Sequence, residues 1–387
     1  MDVRAIVITG VLGESPSSVA TDSVEAFSGV PHALLPVLGR PVLHYVADRL
    51  KNAGIDSISV LNAADSSLPL IEEAGRSDFR WKNVPAGQVW RAAEEEFDDL
   101  VQAGAEMVIV LRLGAYAEVE IDPFLQYHLD QRNHTTQVLA TDGPLDFFVL
   151  CGSRRNDARF LLRNKLSKMR VQTQPYLTTG YVNRLQSAGD LRRLAVDSFL
   201  RKTSIPPQGQ QIRPGVWVGE GAKIDRNVRL VAPCYVGPHA RVRAGSLITR
   251  GSSLEHHTVV DRGTVVEAST LLPLSYLGAG LDLTHSVVGF KRIASVKYSA
   301  QLEIEDTSLV SVVPGTSVLR TLNHAVNLVA FLPRQMLAGV FGSRKIRKSQ
   351  PALDALTTGF DGNAVARTMT QDRQQLTASV MREYGNQ

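Results

Sequence analysis

A pair of histidines could perform acid–base chemistry. His256 and His257 lie inside a six-residue repeat, at positions expected to point away from the axis of the coil that such repeats form. An imidazole placed there could act as a general base that takes a proton from an acceptor hydroxyl or amine during acyl transfer. His257 is the candidate base if the protein is a hexapeptide acyltransferase, with His239 and His285 as further candidates. The alternative, which we favour, is that these histidines are solvated turn residues.

A basic cluster near the C-terminus could bind an anionic surface. Over residues 318–348, apolar residues first recur largely at helical spacing, with Pro333 expected to divide them into two helices. The cations that follow are Arg344, Lys345, Arg347 and Lys348. An apolar helix face beside cations is typical of a peripheral membrane helix. The alternative, which we favour, is packing on a protein partner or on a flank of this protein. Nucleic-acid binding is not expected, because no aromatic residues interleave with the cations.

Composition limits the class of protein. The 387 residues are 44% hydrophobic and 21% charged, which is typical of a globular protein with two or three domains. The net charge of +4 is concentrated in residues 316–387, with nine Arg and Lys against four Asp and Glu. Cys151 and Cys234 match neither a disulfide framework nor a metal site, and no apolar run is long enough to span a membrane. We expect a cytoplasmic protein, soluble or peripheral to a membrane.

A six-residue period runs through the second half of the chain. The aliphatic series is Ile212, Val218, Ile224, Leu230, Val236, Val242, Ile248, Leu254, Val260, Val266 and Leu272. A fixed period of this kind marks a solenoid. Three such short strands make one triangular coil, so the sequence predicts a left-handed parallel β-helix over residues 206–315. The period breaks at residues 273–282, which predicts an excursion followed by closing coils.

The outer surface of the predicted coils carries charges of both signs. Arg241, Arg243, Arg250 and Arg262 recur there, and the acids interspersed with them are Asp225, Glu255, Asp261 and Glu267. This mixture predicts a solvated face, with a phosphate-rich groove as the alternative. Because the open ends of a solenoid must be covered, we also expect a homo-oligomer formed through the β-helix.

The first half alternates apolar strands with helices. Strands are predicted at residues 5–10, 58–61, 107–111 and 137–140, and one helix should end near Gly54. This alternation predicts a doubly wound, Rossmann-like α/β domain over residues 1–205. We expect residues 316–387 to form an amphipathic helical, basic tail that is partly disordered.

Two segments resemble a known family. Residues 34–45, Leu-Leu-Pro-Val-Leu-Gly-Arg-Pro-Val-Leu-His-Tyr, continuing to Ala53-Gly-Ile55, and residues 180–185, Gly-Tyr-Val-Asn-Arg-Leu, with Asp190, are similar to motifs of the sugar-1-phosphate nucleotidyltransferases. The resemblance implies an α/β domain followed by a hexapeptide β-helix. It also implies transfer of a nucleotide to a sugar 1-phosphate with release of pyrophosphate, with Mg²⁺ shielding the phosphates.

The residues that hold the triphosphate in that family are altered here. The family's Gly-rich loop carries an arginine, whereas this chain has Gly10-Val-Leu-Gly13-Glu-Ser-Pro16, in which Glu14 would repel phosphate. The family's lysine before the Leu-Leu-Pro run is replaced by His32, which is largely neutral at pH 7.

The family's two metal-binding aspartates are also replaced. Ala115 follows Gly114 where the first carboxylate belongs, and Asn183, beside Arg184, takes the second place. Three nearby acids are candidate substitute ligands: Glu118, Glu120 and Asp122. With no certain cofactor, and Mg²⁺ only if the protein is active, we predict a degenerate member that binds a nucleotide or sugar phosphate. It would be a regulatory or scaffolding component of polysaccharide or nucleotide-sugar synthesis. The alternatives are an active nucleotidyltransferase with a non-standard metal site and a hexapeptide acyltransferase.

Overall fold

The first half of the chain folds into an α/β layer. The computed structural model describes residues 1–9, 34–63, 79–164, 166 and 174–313. The described residues lie within one compact unit, Met1–Arg320, and the predicted tail, residues 316–387, lies outside the described residues. The described helices are α1 (Val42–Asn52), α2 (Val89–Gln102), α3 (Ile121–Asp130), α4 (Arg155–Arg163) and α5 (Ala188–Phe199), with a short 3₁₀ turn at Ala86–Gln88. Among the helices of the described residues, none is long and apolar enough to cross a lipid bilayer.

Strands of this layer form one mixed sheet and two small antiparallel pairs. In chain order they are β1 (Val3–Thr9), β2 (Pro36–Val37), β3 (Arg40–Pro41), β4 (Ile58–Ala63), β5 (Arg80–Val84), β6 (Met107–Arg112), β7 (Tyr116–Ala117), β8 (Thr135–Ala140), β9 (Gly143–Cys151), β10 (Tyr176–Leu177) and β11 (Val182–Asn183). The mixed sheet has the order β10-β8-β9-β6-β1-β4-β5, in which β9 alone is antiparallel to its neighbours. β2 pairs with β3, and β7 pairs with β11.

Helices cover both faces of the mixed sheet. Along β1, Ala5 and Val7 face a core that contains α1, α3 and α5, whereas Ile6 and Ile8 face a core that contains α2 and α4. The near-continuous apolar run of β1 follows from this, because a strand buried on both faces needs apolar residues at every position. The α/β layer predicted from the alternation of strands and helices is present, with helices packed on both faces of a mixed sheet.

The segment around residues 34–45 forms a buried turn followed by α1. The turn residues between β2 and β3 are Leu38, with φ +53°, and Gly39, with φ +101°. Pro41 precedes α1, where a fixed φ is compatible with the helix start. Gly54, at φ +78°, lies just past the helix C-cap Ala53, because that left-handed conformation suits glycine.

The second half of the chain runs through three parallel stacks of short strands. The strands are β12 (Gln210–Arg213), β13 (Val216–Val218), β14 (Lys223–Ile224), β15 (Arg229–Leu230), β16 (Cys234–Val236), β17 (Arg241–Val242), β18 (Leu247–Thr249), β19 (Ser252–Leu254), β20 (Val259–Val260), β21 (Val265–Glu267), β22 (Thr270–Leu271), β23 (Ser275–Leu277), β24 (Asp282–Thr284), β25 (Ser286–Gly289), β26 (Arg292–Ser295), β27 (Ala300–Glu303) and β28 (Val310–Val312). The stacks are β13-β16-β19-β22-β25, β14-β17-β20-β23 and β15-β18-β21-β24. We call this region the coil; its left-handed sense stays a prediction.

Antiparallel strands extend two of the stacks. β12 pairs with β13 at one end of the first stack, and β26 and β27 follow β25 at its other end. β28 pairs with β23. The inside of the coil is apolar, and the aliphatic residues that line it include Val236, Val242, Ile248, Leu254, Val260 and Val266.

The predicted repeat is wrong at both of its ends. Ile212 lies in the antiparallel strand β12 and is 46% exposed. At the other end Leu254 pairs with Leu271 rather than Leu272, because the coil shortens by one residue after Val266. Leu272 instead packs into the core of the α/β layer.

The predicted excursion at residues 273–282 is also wrong. Val260 pairs with Leu277, and Val266 pairs with Leu283, so β23 and β24 continue the two stacks after the shortened turn. A residue lost at one corner moves the aliphatic period by one position, which from the sequence alone looks like a break.

The coil and the α/β layer share one hydrophobic core. Tyr235, Leu272 and Val287 of the coil lie in the same cluster as residues of α1 and α5. At the edge of this contact the rings of Phe199 and Trp217 stack, with centroids 5.6 Å apart. The domain boundary near residue 205 stays a prediction.

Glu255 does not belong to the solvated face. The sequence predicts it as one of the charges on the outer surface of the coils, yet its side chain is only 1% exposed. It accepts hydrogen bonds from the backbone amides of Leu38 and Gly39. The outward position is buried because the turn of the α/β layer packs over this part of the coil.

Candidate functional site

The carboxyl ends of β1 and β6 form the candidate site. The order of the mixed sheet reverses between these two parallel strands, and ligands of doubly wound proteins bind at such a point. A cavity of about 30 Å³ lies beside the end of β6. Its lining residues are Val46, Leu111, Arg112, Leu113, Ala115, Ala117, Leu145, Asp146 and Phe147. Ala115, predicted as a degenerate metal position, thus lies in the wall of this cavity.

The lining carries one ion pair. The Arg112 guanidinium, at the end of β6, donates a hydrogen bond of 2.7 Å from Nε to Asp146, on β9, and a second from Nη2 to the same carboxylate. Both side chains are about one-third exposed. Arg112 could meet a phosphate or sugar hydroxyl, in competition with Asp146. Sequence reasoning missed both residues, although a charged residue that ends an apolar strand is a usable signal.

A polar group lies on the other side of β1. The buried Thr9 hydroxyl, at the end of β1, donates to the Asn62 side chain at 2.9 Å, and Asn62 donates to Asn83 at 3.2 Å. Trp81 also donates to Asn83, at 2.7 Å. These side chains order the edge of the sheet where the chain leaves β1 and β4. Sequence reasoning missed them as well.

The two positions predicted to replace the family's aspartates lie close together. Ala115 directly precedes β7, and its neighbour Tyr116 pairs with Asn183 of β11. The residue types, however, do not suit a metal.

Mg²⁺ does not fit these residues. Ala115 has no ligand atom, and Asn183 is buried with its amide already in use. The Asn183 Nδ2 group donates to the carbonyl of Asp190 at 2.9 Å, and its Oδ1 accepts from the amide of Leu185 at 3.0 Å. Asn183 therefore closes the turn that leads into α5. Mg²⁺ requires several hard oxygen ligands, and this position supplies none.

The Arg184 guanidinium is paired with a carboxylate in another part of the α/β layer. Its guanidinium binds the carboxylate of Asp142, at 2.9 Å from Nη2 and 3.0 Å from Nε. It also donates to the carbonyl of Pro144 at 2.8 Å. The hydrogen bond to Asp142 holds the pKa of Arg184 above its usual value, so Arg184 keeps its charge.

The structure does not bring the three substitute acids together as ligands. The Glu118 carboxylate accepts from the Tyr116 hydroxyl at 2.7 Å and from the amide and hydroxyl of Ser204 at 2.6 and 2.8 Å. Glu120 and Asp122 are exposed at the start of α3. Within the described ranges, no group of three or more His, Cys, Asp or Glu could hold a metal ion.

A glycine is required where Glu118 meets the second family-like segment. The amide of Glu118 donates to the carbonyl of Tyr181 at 2.8 Å. A Cβ at Gly180 would lie 1.8 Å from the carbonyl oxygen of Glu118, so a side chain cannot be accommodated there. Residues 180–185 are thus held against the end of β7 by backbone contact.

The histidines stack at one corner of the coil. The rings of His239 and His257, which lie one turn apart, are 5.0 Å apart and nearly parallel, and both residues have left-handed backbone. His256 meets His257 edge-on at 5.7 Å. His285 is exposed at another corner. The acyltransferase role of His257 stays a prediction.

Several predicted site residues lie outside the described residues. They are Gly10, Gly13 and His32 of the phosphate-binding segments, and Arg344, Lys345, Arg347 and Lys348 of the basic cluster. Their roles stay predictions.

Comparison with known proteins points to one class of enzyme. No family model matches the chain. One relative, provisionally named a mannose-1-phosphate guanyltransferase, from Sulfolobus acidocaldarius, is 23% identical over 250 residues, which are 56% of this chain and 68% of the relative. Another, named a UTP–glucose-1-phosphate uridylyltransferase, from Synechocystis sp., is 28% identical over 111 residues, which are 28% of each chain. The chain is similar to sugar-1-phosphate nucleotidyltransferases.

Proposed function

We propose that this protein binds a nucleotide or a sugar phosphate but does not transfer the nucleotidyl group. It would act as a regulatory or scaffolding component of polysaccharide or nucleotide-sugar synthesis. The likeness to the two named relatives supports the ligand class. The residues at the candidate site support the loss of catalysis.

The proposal rests on the hydrogen bonds of the Asn183 side chain, which occupy its amide group within its own turn. Transfer of a nucleotidyl group needs a cation held beside the phosphates to neutralise the charge that develops during in-line attack. The strand pairing of Tyr116 with Asn183 brings the two positions for its ligands close, but one is Ala115 and the other is an amide bound within its own turn. Binding of a phosphorylated ligand makes a smaller demand, because one cation such as Arg112 can contribute to it.

A pyrophosphate-exchange assay and a binding measurement by calorimetry test the proposal. The purified full-length chain would be incubated with GTP and mannose 1-phosphate, or UTP and glucose 1-phosphate, with Mg²⁺ and labelled pyrophosphate. We expect no label in the triphosphate. Calorimetry with the same four compounds should detect binding of at least one of them without Mg²⁺. The Arg112→Ala variant should bind at least tenfold more weakly.

Two results would contradict the proposal. Mg²⁺-dependent pyrophosphate exchange would favour the alternative, an active enzyme with a non-standard metal site, and Glu118→Gln should then abolish it. If none of the four compounds bound, the proposed ligand class would be contradicted. Oligomerisation through the coil is a further part of the proposal, and sedimentation equilibrium measures it directly.

A further inference from the structure

A buried carboxylate joins the coil to the α/β layer. Glu255 directly follows β19, and its Oε1 and Oε2 atoms accept hydrogen bonds from the amides of Leu38, at 2.9 Å, and Gly39, at 3.0 Å. The two amides belong to consecutive residues of the turn between β2 and β3. A carboxylate removed from water is unfavourable unless such donors compensate it. The contact is therefore sensitive to the charge of this one group.

The ionisable groups near Glu255 include two phenols, an arginine paired with an aspartate, and two histidines that follow it in the sequence. Tyr45 of α1 donates from its hydroxyl to the carbonyl of Val37 at 3.0 Å. The Tyr235 hydroxyl, on β16, has no hydrogen-bond partner within the described part of the chain. Arg40 lies over the Tyr45 ring, 5.3 Å from its centre, and forms an ion pair of 2.8 Å with Asp48. Along the coil itself, the neighbours in sequence are His256 and then His257.

Glu255 changes charge in a different pH range from the phenols. Burial raises the pKa of Glu255 to about 7, although the two amides act in the opposite direction. Burial also raises the pKa of Tyr45 and of Tyr235, so both remain neutral at physiological pH. If the turn opens and water reaches Glu255, its pKa returns towards the ordinary value. Protonation consequently favours the closed contact.

We infer that Glu255 is a pH-sensitive latch between the coil and the Leu38–Gly39 turn, tighter when its carboxyl is protonated and looser when it is ionised. The turn leads through Pro41 into α1, and Val46 of α1 lines the candidate cavity. Glu255 is thus a positioning residue for one wall of that cavity. The inference does not depend on the proposed function, because the latch can be measured without a ligand.

Hydrogen exchange tests the latch. Mass spectrometry would follow the peptide that contains Leu38 and Gly39 in the full-length chain between pH 5 and pH 8, with rates corrected for intrinsic exchange. Protection in the wild type should fall on the order of 100-fold across this range. In Glu255→Gln it should be nearly independent of pH. The matched control Glu220→Gln removes an exposed glutamate of the coil and should behave as the wild type.

The inference would be overturned if protection changed with pH in Glu255→Gln as it does in the wild type. It would also be overturned if protection in the wild type did not change with pH. A second measurement needs no variant. In the wild type, the carbon-13 signal of the Glu255 carboxyl should titrate with a midpoint near pH 7. A midpoint near 4.5 would show an ordinary, solvated carboxyl and overturn the latch.

Discussion

Arg192, on α5, donates a hydrogen bond of 3.0 Å to the carbonyl oxygen of Arg250, on the coil. A second bond runs from the same guanidinium to the carbonyl oxygen of Gly251. The Arg192 side chain is buried, and burial lowers its pKa to about 10, so it is still charged at neutral pH. The α/β layer and the coil are therefore joined by a buried cation here and by the buried carboxylate of Glu255 elsewhere.

Replacing Arg192 with methionine should destabilise the protein by about 2–4 kcal/mol, because the buried carbonyl of Gly251 and the partly buried carbonyl of Arg250 lose their donor. Urea unfolding followed by tryptophan fluorescence measures the change. The control is Arg193→Met on the same helix, where the side chain is 65% exposed and lies 3.7 Å from Asp197. The free energy of unfolding of that variant should lie within about 0.5 kcal/mol of the wild-type value. Equal effects in both variants would show that Arg192 does not join the two parts.

Asn183→Asp should destabilise the fold by about 1–3 kcal/mol rather than create a metal site. The new carboxylate cannot donate to the Asp190 carbonyl, and the two oxygens would repel each other. Thermal unfolding with and without Mg²⁺ is the measurement. Asn156→Asp makes the same chemical change at an exposed position and should have little effect. Stabilisation of Asn183→Asp by Mg²⁺ would contradict the interpretation of Asn183 as a turn residue.

The stability of the wild type relative to Glu255→Gln should fall as pH rises from about 4.5 to about 7. The pKa of Glu255 is raised in the folded state, so its contribution is fully present below the ordinary value and is lost as pH passes the folded value. The loss should be about 3 kcal/mol, at about 1.4 kcal/mol per pKa unit. Denaturant unfolding across this range in wild type and Glu255→Gln measures it. Parallel curves for the two proteins would refute the assignment.

Gly39→Ala should destabilise the protein by at least about 2 kcal/mol more than Gly104→Ala. The two glycines have almost the same φ, +101° and +102°. A Cβ at Gly39 would lie 2.2 Å from the Tyr235 hydroxyl oxygen, whereas a Cβ at Gly104 meets nothing within 4 Å. The difference in midpoint denaturant concentration therefore isolates the clash from the strain of the backbone. Adding Tyr235→Phe should recover part of the loss, and no recovery would place the clash elsewhere.

Mutating Arg344, Lys345, Arg347 and Lys348 to alanine tests the peripheral-membrane alternative for the tail. Each basic residue near an anionic surface contributes about 1 kcal/mol to binding. If the full-length chain floats with phosphatidylserine vesicles, the quadruple variant should lose most of this association, and 1 M salt should do the same. Absence of flotation by the intact protein would leave packing on a protein partner or on a flank of this protein as the remaining interpretations.

Local periodicity was enough to predict much of the coil. Val236, Val242, Ile248 and Leu254 are buried as the six-residue spacing predicts, since each short strand turns one side chain inward. The same spacing misplaced Leu272, because a turn one residue shorter cannot be told from a break in a pattern. No short-range pattern predicted the pairing of β7 with β11, which brings Ala115 near Asn183.

The sequence by itself therefore determined the types of elements and which side chains they turn inward, since these depend on neighbours within a few residues. Only the tertiary structure decided that Glu255 is buried and that Asn183 and Glu118 are occupied by other partners. Glu255 meets Leu38 across 217 residues, and Glu118 meets Ser204 across 86. The environment of a polar group is set by the surface that packs against it, and that surface comes from a distant part of the chain.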